Sequence, residues 1–138
     1  MSTASREEFV KEARSWIGTP YQHQGRIKGV ACDCIGLVIG TARALGLTDY
    51  DIDGYGKRPD GNLRPVMESQ LESVPLDAAQ AADVVLFAWA SHPLHVGILS
   101  DPSHVIHAYL PNRRVVENII DERWRAQIVA AYHMPGVV

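Results

Sequence analysis

The sequence is poor in cysteine, has no excess of positive charge and contains no long apolar run, and each shortage closes off a class of protein. Its two cysteines, Cys32 and Cys34, are too few for the disulfide framework of a small secreted domain. With one residue between them they could close only a tiny strained ring, so thiol chemistry is what remains open to them. The 13 Lys and Arg against 16 Asp and Glu leave a formal charge of −3. No broad basic face is available to neutralise phosphates, and nucleic acid is not an expected partner. No segment reaches the roughly 18 apolar residues that a membrane span needs, and the polar start Met1-Ser2-Thr3-Ala4-Ser5-Arg6 lacks the apolar stretch of an export signal. The expectation is a soluble chain, synthesised in the cytoplasm. Internal repeats, low-complexity tracts and linkers are absent as well.

What the chain does have is the material of one domain over residues 1–138, since 46% hydrophobic and 21% charged residues support a core that needs no staples. Ser5 and Glu8 form a capping box, and Phe9, Val10, Ala13, Trp16 and Ile17 share one face, predicting a helix over 6–17 ended by Gly18. Gly18, Pro20, Gly25 and Gly29 predict irregular chain up to the cysteines. Ile35, Leu37, Val38, Ile39, Ala42 and Leu45 then predict a buried helix, with Asp33 as N-cap, Cys34 in the first turn and Gly46 past the end. The Asp- and Gly-rich loop 47–62, with Tyr50 and Tyr55, and the bend 90–94 are expected to rim a site, and a short helix near 63–72 to start at Pro65. Five β-prone runs follow, at 84–89, 95–99, 105–110, 115–120 and 128–133. Helices first and strands later is the order of an α+β fold.

The chemistry centres on Cys34. A thiol in the first turn of a helix meets the positive end of the macrodipole and unpaired N–H groups, both of which favour thiolate. The competing reading is a buried structural cysteine, common among free cysteines. The histidines weigh against it. A hairpin centred near Asp101, in the turn Ser100-Asp101-Pro102-Ser103, sets His95 opposite His107 on one sheet face, close enough for the imidazoles to hydrogen-bond. A cysteine nucleophile needs a base to take its proton and a third polar group to orient that base. Cys34, His95 and His107 fit these roles, although each histidine alone reads equally as a satisfied ring on a strand. Zinc could be held by Cys32, Cys34, His95 and His107, but Cys-x-Cys at a helix start points its sulfurs apart, so no metal or organic cofactor is expected. His92 is the rival base, disfavoured by the bend at Pro93. His23, His104 and His133 have no assignable partner, and Trp16, Trp89 and Trp124 read as separate core anchors.

Asp33-Cys34-Ile35-Gly36-Leu37-Val38, His95-Val96-Gly97-Ile98 and Ile106-His107-Ala108 resemble, in order and spacing, the Cys, His and third-polar-residue motifs of the NlpC-type cell-wall cysteine peptidases. Trp16-Ile17-Gly18-Thr19-Pro20-Tyr21 resembles that family's Gly-x-Pro-Tyr segment, so the likeness runs from residue 6 to about 133. Within the family the chain is most similar to the phage-tail and gene-transfer-agent branch, through the run Cys32-Asp33-Cys34, the stretch 20–24 and Trp124-Arg125. The resemblance implies a papain-like fold, with the nucleophile helix packed against an antiparallel sheet. It also implies hydrolysis of peptidoglycan stem peptides, typically between D-γ-glutamyl and diaminopimelate or Lys. Expected partners are the stem peptide and tail-particle proteins, with delivery to the cell wall by such a particle. Tyr21 matches a family tyrosine that could donate to the oxyanion or substrate carbonyl. Asp33 reads as a cap more than as a substrate contact, and Cys32 as a spectator thiol. Ile35 stands where the family commonly has Ser, and Ala82-Asp83-Val84 where it has Gly-Asp-Leu. Two other classes stay open: a non-catalytic tail or binding module, and a thiol acyltransferase or amidase.

Overall fold

In the computed structural model, which describes residues 2–51, 63–89 and 92–138, the capping box forms as read. Glu8 N–H donates to Ser5 Oγ and Ser5 N–H to Glu8 Oε1, each at 3.0 Å, and start helix α1 (Arg6–Arg14). The helix is shorter than its apolar periodicity predicts. Beyond Arg14 the backbone tightens into i to i−3 bonds, Trp16 N–H to Ala13 O and Ile17 N–H to Arg14 O. Gly18, at φ +92°, then turns the chain away.

The stretch after Gly18 is more ordered than its glycines predict. Strands β1 (Arg26–Ile27) and β2 (Ala31–Cys32) form a small antiparallel ribbon. The chain before them is tied to a distant strand through Gly18 N–H to Val115 O and Tyr21 N–H to Arg113 O. Such long-range backbone bonds leave no periodicity in the sequence. Helix α2 (Cys34–Ala44) then starts where expected, with Asp33 accepting from Gly36 N–H at 2.7 Å, and it closes at Gly46, φ +70°. Helix α3 (Leu63–Gln70) follows, with Pro65 at its third position, where an absent N–H costs no helical bond. Of the predicted rim, Tyr55 and the stretch 52–62 lie outside the described residues, as do residues 90–91 of the bend.

The strands are β3 (Glu72–Val74), β4 (Val84–Trp89), β5 (His92–Asp101), β6 (His104–Tyr109), β7 (Arg114–Ile119) and β8 (Ile128–His133), with a one-turn helix α4 (Glu122–Arg125) before β8. They form one sheet in the order β3-β8-β4-β5-β6-β7, antiparallel throughout. The fold is α+β, as expected. Strand β3 and helix α4 were not foreseen, being too short for a periodic signal.

Alternation along the strands sorts their side chains into two layers. Val84, Leu86, Val96, Ile98, Ile106, Ala108, Val115 and Tyr132 face the core shared with Phe9 and Val10 of α1 and Leu37 and Val38 of α2. Val85, Phe87, Leu99, Val105, Ile120 and Ala131 face the other side, joined there by Trp89, Trp124 and Ile128. Arg6 fastens α1 to the head of β4, with Nη1 2.8 Å from Asp83 Oδ1. No helix among the described residues is long and apolar enough to cross a membrane.

Candidate active site

Two residues of the proposed constellation meet directly, by a route the simple hairpin reading misses. Ile98 lies opposite Ile106 and Leu99 opposite Val105, with an irregularity before Asp101 pairs with His104. That register is displaced by two residues from a turn centred on Asp101. The residue facing His107 is thus Gly97, and His95 stands diagonally across. A slip of two keeps both imidazoles on one face, and His95 Nε2 lies 2.7 Å from His107 Nδ1. Gly97 makes the diagonal possible. A Cβ there would lie 3.1 Å from His107 Cβ and 2.5 Å from Val105 Cγ2, against the ring that must lean towards His95. On its far side His107 Nε2 is 2.9 Å from Asn118 Oδ1 on β7.

Both imidazoles are buried, His95 at 6% exposure and His107 at 0%, inside an aromatic enclosure. Trp89 stacks on His95 with centroids 4.8 Å apart and planes 16° off parallel. Tyr109 stacks on His107 at 4.8 Å and 14°, and Trp124 meets His107 edge-on at 5.4 Å. Trp89 is itself held by its indole N–H, which donates to Gln127 Oε1 at 2.9 Å. Trp89 and Trp124 are therefore walls of the histidine site and not separate anchors, whereas Trp16 is a core residue, 3% exposed. The sequence hid this because β4 and α4 are brought together only by the pairing of β4 with β8. Burial pushes His95 well below the ordinary imidazole range, the neighbouring His107 adding to the effect. It lowers His107 to about 4, with the Asn118 bond opposing. The resting pair is neutral.

Cys34 comes from the other layer. It opens α2 on the helix side of β5, and the N–H groups acting on its sulfur include that of Val96, the residue next to His95. The sequence expectation of a thiolate is reversed. Burial pushes the thiol up to about 11, with the Asp33 charge adding to the rise and the Val96 and Ile35 N–H groups opposing it. Helix-end effects are worth up to about 2 kcal/mol, whereas full desolvation can shift a group by several pKa units. The structure thus brings the two imidazoles together but joins Cys34 to neither among the described residues: the thiol packs with the helix-side core and the pair on the side of Trp89 and Trp124. With thiol and imidazoles all neutral, a nucleophile has to form by proton transfer as attack begins. Iodoacetamide alkylation of Cys34, followed by mass spectrometry of its peptide, is expected to be slow at neutral pH and to climb as the pH nears about 11. A rate already level below about pH 8.5, the value of an ordinary thiol, would reveal a preformed ion pair and overturn this order of events.

The flanking residues divide by role. Tyr21 is half-buried, and its phenol is pushed upward by burial and next by the charge of Cys34, so it stays a neutral donor close to the sulfur. Asp33 is 2% exposed and is used structurally. It accepts from Gly36 N–H and Gln24 N–H, each at 2.7 Å, with Arg26 Nη1 3.3 Å away. This favours the cap reading. Cys32 is a fully buried free thiol, driven up to about 12 by burial. Three histidines without foreseen partners do have them: His23 lies 3.8 Å from Asp33 Oδ2, His104 2.9 Å from Asp101 Oδ1 and His133 2.7 Å from Val137 O. His92 begins β5, its backbone paired with Trp89. No cluster of three or more His, Cys, Asp or Glu side chains suited to a metal ion occurs among the described residues.

The NlpC/P60 family profile matches residues 18–133. The NlpC/p60 domain of the peptidoglycan hydrolase SagA is similar at 25% identity over 95% of this chain and 100% of that one, with a TM-score of 0.70. An NlpC/P60 family protein from Bacillus cereus (18% identity, 96% of this chain and 41% of that one, TM-score 0.75) shares the fold. So does the peptidoglycan hydrolase RipB from Mycobacterium tuberculosis (17%, 94% and 64%, TM-score 0.69). The chain thus spans less than two thirds of the latter two. No curated protein matches it.

Proposed function

The chain belongs to the NlpC/P60 family, and from that premise we propose that it is a cysteine endopeptidase acting on peptidoglycan stem peptides, at a D-γ-glutamyl to diaminopimelate type of bond. The observation that carries the reading is the buried His95–His107 pair, bonded at 2.7 Å on the strand against which the Cys34 thiol rests. In this proposal His95 takes the Cys34 proton as the sulfur attacks the scissile carbonyl carbon. The tetrahedral intermediate collapses by breaking the C–N bond, and His95 returns the proton to the departing amine. Water, activated by the same imidazole, then cleaves the thioester and frees the thiol. His107 orients His95. The Cys34 backbone N–H and the Tyr21 phenol are suited to receive the developing oxyanion. The peptidoglycan hydrolases among the similar structures support the substrate class.

Digestion of purified muropeptides followed by mass spectrometry tests reaction and bond together. Fragments cut after the γ-linked glutamate are expected; intact muropeptides, or loss of an amide or acyl group alone, would overturn the proposal. The high thiol pKa and near-complete burial of Cys34 favour a second reading, a non-catalytic module of the same fold, and intact muropeptides are its expected result. We further propose that the chain reaches the cell wall as part of a phage-tail or gene-transfer-agent particle. The support is the Cys32-Asp33-Cys34 run with Trp124-Arg125, and co-sedimentation with such particles is the check.

A further inference from the structure

The directly opposed register positions of His107 are Gly97 on β5, following the Ile98–Ile106 pair, and Val116 on β7. Its hydrogen-bond partners are instead His95 and Asn118, each two residues off those positions and displaced in opposite senses along the parallel-running β5 and β7. The three side chains therefore form a straight diagonal across three strands on one sheet face. That line ends on an amide, and an amide oxygen can only accept.

We infer that Asn118 is a positioning residue that sets the tautomers of both imidazoles and so keeps the unbonded nitrogen of His95 free to take a proton. The logic runs by proton counting. Asn118 Oδ1 at 2.9 Å requires the His107 proton on Nε2, which leaves Nδ1 as an acceptor. The 2.7 Å contact must then be His95 Nε2–H donating to His107 Nδ1. A neutral His95 has one ring proton, so its Nδ1 carries a lone pair. With the amide reversed or absent, His107 can donate from Nδ1 instead. His95 Nε2 then accepts, its proton moves to Nδ1, and the ring can no longer serve as base there.

Neither ring has another group to impose this order. The titratable groups facing the pair are each other and Tyr109 on β6; Cys34 packs with the helix-side core. Glu117, the neighbouring residue on β7, is turned away to Arg14 and to Ser100. Among the described residues no carboxylate meets either imidazole.

The inference rests on the proposed peptidase mechanism for its consequence in turnover, but the tautomers are readable without turnover. Long-range proton–nitrogen NMR of the imidazoles is expected to find both rings as Nε2–H tautomers in the unmodified protein, and to lose the single tautomer at His107 in Asn118→Leu. In stem-peptide cleavage, Asn118→Leu is expected to lower kcat on the order of 10- to 100-fold, the usual effect of removing an orienting partner, with KM little changed. Asn118→Asp, which keeps an acceptor and adds a charge, is expected to restore most of kcat and to move the acid limb of the pH profile up by about one unit. An Nδ1–H tautomer at His107 in the unmodified protein, or an unchanged His107 spectrum in Asn118→Leu, would overturn the inference whatever the activity. A protein with the expected tautomers and no cleavage would instead remove the peptidase reading and leave Asn118's role standing.

Discussion

Replacing Cys34 by alanine is expected to abolish release of stem-peptide fragments from purified sacculi, a loss on the order of a thousandfold or more, while the fold is kept. His95→Ala is expected to match it. The two should not add, because a nucleophile and its base act as one unit and removing either removes the covalent route. The fold should survive Cys34→Ala, since the change deletes one sulfur from the first turn of α2 while the Asp33 to Gly36 cap is untouched. Circular dichroism and a thermal melt on each variant separate loss of chemistry from loss of structure. Undiminished cleavage by either well-folded variant would refute the mechanism. Because burial holds His95 well below the ordinary imidazole range, its neutral, basic form persists as the pH falls into that range, and the pH profile of stem-peptide cleavage is expected to keep its activity on the acid side of neutrality.

The second large effect is expected far from any proton transfer, at Gly36. Alanine is ordinarily favoured over glycine in a helix, by about 1 kcal/mol in its interior, yet at Gly36, in the first turn of α2, the sign reverses. A Cβ on Gly36 would strike the backbone carbonyl of Gly25 and lie 2.9 Å from Arg26 Nη1. Those atoms cannot step aside cheaply, because the loop is bound on both sides: Gln24 N–H donates to Asp33 Oδ2 at 2.7 Å and Gly25 N–H to Gln22 O at 2.9 Å. Overpacking of this kind costs about 1–3 kcal/mol, which in a chain of this length lowers Tm by roughly 2–12 °C. The loop carries Tyr21 to Cys34, so activity is expected to fall further than stability alone explains. An unchanged or raised Tm in Gly36→Ala would show that the loop is free to move.

The helix starts were legible because caps are local: Ser5 with Glu8 and Asp33 before Cys34 announce themselves within four residues. The five longer strands were legible from alternation and β-branching. The ribbon before Cys34 was not, since its order comes from bonds to residues 113–115. Asn118 could have been found. The turn Leu110-Pro111-Asn112-Arg113 sets Val116 opposite His107, and Asn118 is the polar residue two places along on the same face.

The sequence by itself determined that Cys34 opens a helix and that His95 and His107 share a sheet face, because caps and two-residue alternation act over a few residues and survive a slip of two in register. Only the tertiary structure decided the rest: that the imidazoles meet diagonally past Gly97, that Trp89, Tyr109 and Trp124 enclose them, and that Asn118 ends their line. It also decided the charge state. Whether a thiol at a helix start is a thiolate depends on how much water reaches it, and solvent access is a property of the packed layers around Cys34 that its neighbours in sequence do not carry.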